Sequence, residues 1–456
     1  MNKITRRQFD AFCYSRQPLI RVISREMGWY EACDRKILAT IIFDNTDSDY
    51  NVVVLGRDAQ KVFRWIDGGA SFRTKEEAEK ALAACVEKYK NDGCEFYPQG
   101  DEQAVPNEIL VPCVDDKILH PYFKILVNEP RYEAARNLIK EIAYTFVDVD
   151  GNYIREFQTR GFDARLWELY LYVYLHNAGF QINRDYPAPD YRVAFFGEEC
   201  FIEAVTVNPS ENPHRPDPAP PKSAEDVVEL TRDYLPMKFG SALYSKLQKR
   251  YWEKEHVSGK PLILAIHDFH MPGSMTWSRN GLSDYLYGVR SQIGTDAAGN
   301  SIAVYEKVKE HSWCGKTIPS AFFNQAGAEH ISAVLFSNAA TITKFNRMGK
   351  LAGMGSKDIK MIRTGVLFNP APDALEPIPF WWDVDSPEYE ESWSDSMIMF
   401  HNPRARIQVP PTCFGDISHV VFDADRGKFM GHFQPYDVLN SITVVISKTG
   451  DTTRDP

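Results

Sequence analysis

The chain has 456 residues, 44% of them apolar and 25% charged, and a formal net charge of −10. This is the composition of a soluble globular protein with chain enough for two or three domains, and the acidic balance restricts any nucleic-acid binding to a local patch. No apolar run approaches the roughly 18 residues of a membrane span. Residues 1–8 lack the apolar core of a secretory signal, so a cytoplasmic location is expected. Eight cysteines are scattered from Cys13 to Cys413 without a Cys-x-x-Cys pair, which argues against a disulfide scaffold and against structural zinc.

In chain order, residues 5–15 and 20–27 have helical patterns, and strand-like runs follow at 37–43, 50–55 and 61–66, separated by turn-rich segments. Thr74 and Glu77 have capping-box spacing and open a helix to about residue 90, with Ala78, Leu82, Cys85 and Tyr89 on one face. The acids of residues 44–49 lack calcium-loop spacing and read as a turn. Residues 92–112 read as a linker. Asn128 is placed to cap a helix over 130–144, and 146–154 resembles a hairpin around Asp150-Gly151.

The segment 160–207 concentrates the chemistry. A helix is expected over 163–177, closed by Gly179, with Asp163 as its N-cap and Glu168 alone in a run that is apolar nearly all round. Two strands follow, 191–196 and 200–207, split by a Gly197-Glu198-Glu199 turn; Asp190 opens the first after Pro187 and Pro189, and Glu203 is the only acid in the second beyond its start. A turn pairing Phe195 or Phe196 with Cys200 sets Asp190 opposite residues 204–206. Carboxylates within apolar elements need a cation to compensate them, and a metal ion serves all three. The structural alternatives are a strand-opening role for Asp190, Arg192 as partner of Glu203 and Arg165 as partner of Glu168.

Beyond Asn208 lies a loop with six prolines in residues 209–221, placed to border the site as a lid. A helix over 238–254 carries Lys238, Lys246, Lys249, Arg250 and Lys254, a basic patch in an acidic chain, before a buried strand at 261–266. Strand, helix, strand at this spacing implies a crossover and a parallel pair. His267-Asp268-Phe269-His270, with His256 nearby, lacks a third ligand at a recognisable interval and reads as a polar strand exit. No serine elbow, P-loop or dinucleotide fingerprint occurs. Further on, strands are expected at 331–337, 364–368, 396–401, 418–422 and 441–446, with a hairpin turn at 423–427; Thr343-Lys344-Phe345-Asn346-Arg347 reads as a surface strand with basic and aromatic residues fit to touch nucleic acid.

A helix with Glu168, a strand opened by Pro189-Asp190, a strand with Glu203, a basic helix and an apolar strand make an order that resembles the core of the PD-(D/E)XK nuclease superfamily over about residues 160–268. The resemblance implies a restriction-endonuclease-like mixed β-sheet flanked by helices, Mg²⁺ (or Mn²⁺ as a substitute) on Asp190, Glu203 and Glu168, and phosphodiester hydrolysis. One residue departs from the pattern: where the family has Lys two positions after the strand acid, this chain has Val205. Some members supply that lysine from the following helix, which makes Lys246, or else Lys249, the catalytic partner of Asp190 and Glu203.

The expectation is therefore a mixed α/β (α+β) protein with an N-terminal accessory module (1–92), a linker (93–112), a nuclease core (113–290) and a β-leaning C-terminal extension or domain (291–456). Its function is metal-dependent nucleic-acid hydrolysis, on DNA in preference to RNA, in restriction, repair or phage defence. Nucleic acid, engaged through the basic helix around 246–254, is the expected partner, with no membrane and room for a homodimer. The alternative is a catalytically inactive nuclease fold that binds nucleic acid or protein.

Overall fold

Period-two alternation of buried and less buried residues, clearest over Asp49–Arg57, marks the sheet-forming part of the chain up to Phe72. In the computed structural model, which describes all residues except 19, 103–105, 298, 300, 372–373, 411, 435–436, 448–451 and 455–456, the protein is mixed α/β with several sheets. It assembles into two compact units: Met1–Phe162 with Leu175–Gln181 and Ile342–Lys357, and Asp163–Tyr174 with Ile182–Thr341 and Asp358–Pro456. The expected boundaries near 92 and 112 fall inside the first unit and that near 290 inside the second.

In the first unit, Asn2–Ile4, Ser24–Ala32, Ile37–Asp44, Asp49–Arg57 and Phe63–Phe72 form an antiparallel meander in sequence order. The helix Lys75–Tyr89 starts at the Thr74/Glu77 capping box and buries Ala78, Leu82 and Cys85 against the sheet. Residues 20–27 depart from expectation: helix persists only over Ile20–Ile23 before the chain enters the strand Ser24–Ala32. Asn128 ends the helix Pro121–Asn128, and a 3-10 turn leads from there into Glu133–Thr145. The hairpin expected at 146–154 is a turn, closed by Asp148, which accepts from the Gly151 and Tyr153 amides, and Tyr153 begins the helix Tyr153–Gln158.

Residues 343–347 lie in the helix Ile342–Leu351 and not in a surface strand. Asn346 accepts from the Ala135 amide (3.0 Å) and donates to the Arg131 carbonyl (2.8 Å). Gly349 lets the two backbones meet, for a Cβ there would lie 2.3 Å from the Ala134 oxygen. Lys344 and Arg347 are buried by this packing and cannot touch nucleic acid.

The second unit is built on an eight-stranded sheet. The helix Phe162–Ala178 (α1), closed by Gly179 in the left-handed conformation, precedes the strands Gln181–Asn183 (β1), Tyr191–Phe195 (β2) and Glu198–Val207 (β3). Asp163 lies inside its first turn; Gly161 holds the N-cap position instead. A helix enters at Ala224–Glu229, loosens into a π segment at Leu230–Tyr234 and resumes as Leu235–Leu247 (α2). The wider turn immediately precedes Pro236, a residue that lacks the N–H an α-helix interior uses. The strands Leu262–Asp268 (β4), Ala333–Ser337 (β5), Met397–His401 (β6), Ser418–Asp423 (β7) and Lys428–His432 (β8) complete the sheet, whose spatial order is β8-β7-β6-β5-β4-β3-β2-β1. Met397–His401, Ser418–Asp423 and Lys428–His432 thus extend the same sheet, whereas Ile359–Leu367, Ile378–Asp383, Val438–Ser447 and Thr452–Arg454 form a separate four-stranded sheet.

β2 and β3 are antiparallel, and β3, β4 and β5 are mutually parallel, as the crossover spacing requires. Phe201, Val205 and Val207 of β3 pack with Leu262, Leu264 and Ile266 of β4 against Phe239, Leu243 and Leu247 of α2. Each such buried side chain contributes about 1.5–3 kcal/mol, which presses α2 onto the face that carries Glu203. From the α1 side, Trp167 donates to the Ala265 carbonyl at 2.9 Å. The helix expected to run to 254 ends at Leu247; Arg250 takes positive φ (49°), so Lys249, Arg250 and Lys254 belong to the following turns and not to a basic helix.

Candidate active site

The hairpin sets the two strand acids against each other. Its loop is only Phe196-Gly197, with φ of 48° and 87°, so Phe195 pairs with Glu198 and Tyr191 with Ile202. The same register carried one residue further sets Asp190 across from Glu203, where the three-residue turn expected from sequence had set it against 204–206. Directly opposed residues of an antiparallel pair point to one face about 5 Å apart. Asp190 Oδ2 accepts from the Ala204 amide at 2.7 Å, which pins its carboxylate to β3.

Glu203 is 4% exposed. Its Oε1 accepts from Lys246 Nζ at 2.5 Å and from the Tyr251 hydroxyl at 2.7 Å, while Oε2 is buried without a hydrogen-bond partner. Lys246 lies beside the buried Leu247 on α2 and carries its ammonium along the apolar surface to the acid, with 29% of the side chain exposed. Lys249 is exposed and has no bond to the acids. Of the two lysines that the spacing nominated, Lys246 is the one that reaches the site. Arg192 pairs with Glu199 and so does not neutralise Glu203.

Glu168, on α1, accepts from Arg165 at 2.6 Å through Oε1, and its Oε2 lies 3.6 Å from Arg184. Its backbone carbonyl receives the Tyr191 hydroxyl (2.6 Å), which ties α1 to β2. Burial raises the Glu168 pKa against the opposing pull of the two arginines. Asp190 is pushed up to about 8, first by burial and then by the Glu203 and Glu168 charges, with the Ala204 amide and Lys246 working the other way. The three carboxylates therefore sense one another. Among the described residues, however, no group of three or more His, Cys, Asp or Glu is arranged to hold a metal ion. In this structure Glu168 is engaged by Arg165 and Arg184.

Asp190 and Glu203 remain as a pair, and they fit a divalent cation. Mg²⁺ sites commonly use one or two carboxylates plus water and phosphate, the Glu203 Oε2 is an unsatisfied buried acceptor, and burial with the neighbouring acids disfavours the Asp190 anion, a cost that a cation would offset. Tyr251 and Arg184 had not been found from sequence. Tyr251 lies just past the helix end, outside any periodic pattern, and Arg184 lies in a short polar stretch before the proline run.

The histidines farther along are engaged elsewhere. His267 accepts from the Ala340 amide (3.0 Å), and burial lowers its pKa to about 3, so it stays neutral. His270 bonds Asp268 at 2.7 Å, and His256 stacks on Tyr186 at 3.8 Å. Among the described residues no helix is long and apolar enough to cross a membrane. No protein-family model, curated protein or solved structure matches this chain.

Proposed function

We propose that the second unit is a metal-dependent nuclease with a restriction-endonuclease-like core, acting on DNA in preference to RNA. The observation that carries this reading is the Lys246 ammonium, delivered from α2 to the Glu203 carboxylate at 2.5 Å in a chain that has Val205 where the pattern has lysine. Helix, three strands, crossover helix and a parallel fourth strand, with Asp190 and Glu203 aligned on the middle pair, support the same assignment.

In this reading Asp190 and Glu203 would hold a divalent cation, which when bound would supply water activation and neutralisation of phosphate charge. Lys246 orients that water and stabilises the oxyanion that develops as it attacks. Tyr251 holds the Glu203 carboxylate in place, and Glu168 is fixed by Arg165 and Arg184. The experiment is cleavage of plasmid, linear and single-stranded DNA and of RNA with Mg²⁺ or Mn²⁺, comparing wild type with Glu203→Ala. Metal-dependent cleavage lost in the variant is the expected result. A second reading has its own observation: Lys246 already compensates Glu203 without any metal, as in a purely structural ion pair. Nucleic acid bound but never cut by the wild type, with no calorimetric signal for Mn²⁺, would replace the nuclease by an inactive binding module.

A further inference from the structure

One pocket of the second unit lies along the same helix and strand as the acid pair. It is a 440 Å³ cavity between the end of β3, the N-terminal half of α2, the proline loop and the hairpin Glu310–Trp313/Lys316–Pro319. Its volume is within the range of small-molecule sites. The loop wall is braced from within, because the Ser210 amide donates to Asp217 (2.6 Å) and the Ser210 hydroxyl to the Arg215 carbonyl (2.8 Å), so the cavity is preformed.

Three cations line it, Arg215, Lys238 and Lys316, against one carboxylate, Asp217. That carboxylate is already taken by the Tyr234 hydroxyl (2.7 Å), Lys238 (2.9 Å) and the Ser210 amide. Lys238 spends a second donor on the Asn208 carbonyl (2.7 Å), which leaves one of its three N–H groups for an anion. Lys316 has only a long bond to the Ser241 hydroxyl, 3.4 Å, and is free to turn inward. Trp313 rests on Tyr234 at 5.4 Å between centroids and offers ring surface to the cavity. Cations beside an aromatic ring are the elements that hold a phosphate and stack a base.

We propose that this pocket binds one nucleotide of the substrate strand, its phosphate at Lys316, Lys238 and Arg215 and its base against Trp313. Lys238 and Lys246 are eight residues apart on one helix face, about 12 Å, or roughly three steps of a B-form strand. The pocket so anchors the strand at a fixed distance from the cleaved bond. The inference rests on the nucleic-acid reading of the acid site, and its test is run without metal so that the two can fail separately.

Binding of a fluorescein-labelled single-stranded hexanucleotide to the full chain is measured by anisotropy in EDTA, with adenosine monophosphate and inorganic phosphate as competitors. Lys316→Ala, at a half-exposed position that opens the short strand Lys316–Pro319, is expected to weaken binding about tenfold, the size of one lost charge-assisted bond. Trp313→Leu is expected to weaken it further and to abolish competition by the monophosphate. Wild-type affinity in Lys316→Ala overturns the proposal, and so does competition by phosphate equal to that by the nucleotide. Pocket-dependent binding in a wild type that never cleaves with Mg²⁺ supports the pocket and overturns the nuclease reading alone.

Discussion

Lys246 has an electrostatic role and a chemical one, and mutation separates them. Lys246→Ala leaves Glu203 buried with Tyr251 as the donor to Oε1. Breaking a fully buried pair costs about 3–5 kcal/mol; with 29% of the lysine side chain exposed, about 1–3 kcal/mol is expected. Turnover should fall at least ~100-fold, the scale of a lost acid–base or oxyanion-stabilising group. Affinity for Mn²⁺ should hold or rise, since a competing cation is gone, so calorimetry and initial rates must diverge; parallel losses would make Lys246 a metal-site scaffold only. Asp190 adds a pH signature. Its carboxyl titrates near 3.9 in the unfolded chain but at about 8 when folded. Between those values the folded state holds the extra proton, so the stability of the metal-free protein falls as pH rises through the window. Asp190→Asn should remove that slope, melting above wild type at pH 8 in EDTA and approaching it at pH 4, while cleavage is lost. Mg²⁺ competes with the same proton, so wild-type affinity for it should climb from pH 6 to 8. A flat melting profile in the wild type would mean that Asp190 is ionised throughout.

The hairpin that aligns the two acids turns through a residue poorly suited to it. Phe196 has φ of 48°, the strained conformation of a left-handed, bulky residue, and is 67% exposed, its ring meeting Phe195 edge-on at 4.7 Å. With Gly197 next, Phe196→Asn restores the residue preferred for this two-residue turn. It should stabilise the protein by about 0.5–1 kcal/mol, read as a higher denaturant midpoint with unchanged slope and unchanged cleavage. A lower midpoint would show that the ring has a packing role. The same turn explains what was legible. The uniformly apolar α1, the single-acid strand β3 and the Thr74 capping box announce themselves by pattern, because burial and caps impose one. A Phe-Gly loop has no signature, and the flanking Glu198-Glu199 look more like a turn than a strand start, so the register came out two residues off. The basic run to Lys254 looked like one helix because lysine and arginine are good helix formers; the break at Arg250 leaves no mark of its own. Lys344 and Arg347 read as exposed because cations usually are, and only the packing of their helix buries them.

At the scale of the whole chain, linear reading could not foresee that Ile342–Lys357 returns to the unit formed by the N-terminal residues, since that return depends on Asn346 and Gly349 meeting a helix some 200 residues earlier. Charge, by contrast, is legible at this scale and predicts how nucleic acid must bind. A chain of net −10 repels a polyanion at long range, so attraction has to come from cations near the site that no carboxylate neutralises. Arg250 pairs with Glu253 and Lys260 with Glu199, which removes both from that account. Lys249 and Lys254 are exposed and, among the described residues, form no ion pair, and they follow directly on the helix that brings Lys246 to Glu203. Lys249→Glu and Lys254→Glu should each weaken binding uniformly across sequences and lower the slope of log affinity against log salt by about one. Lys260→Ala should change it little. Anisotropy titrations of one duplex between 50 and 200 mM salt, a range over which phosphate contacts declare themselves, give all three slopes. If Lys260→Ala shifts the slope as much as the other two, the attraction is spread over the surface rather than focused beside the acid pair, and the strand need not pass Lys246 at all.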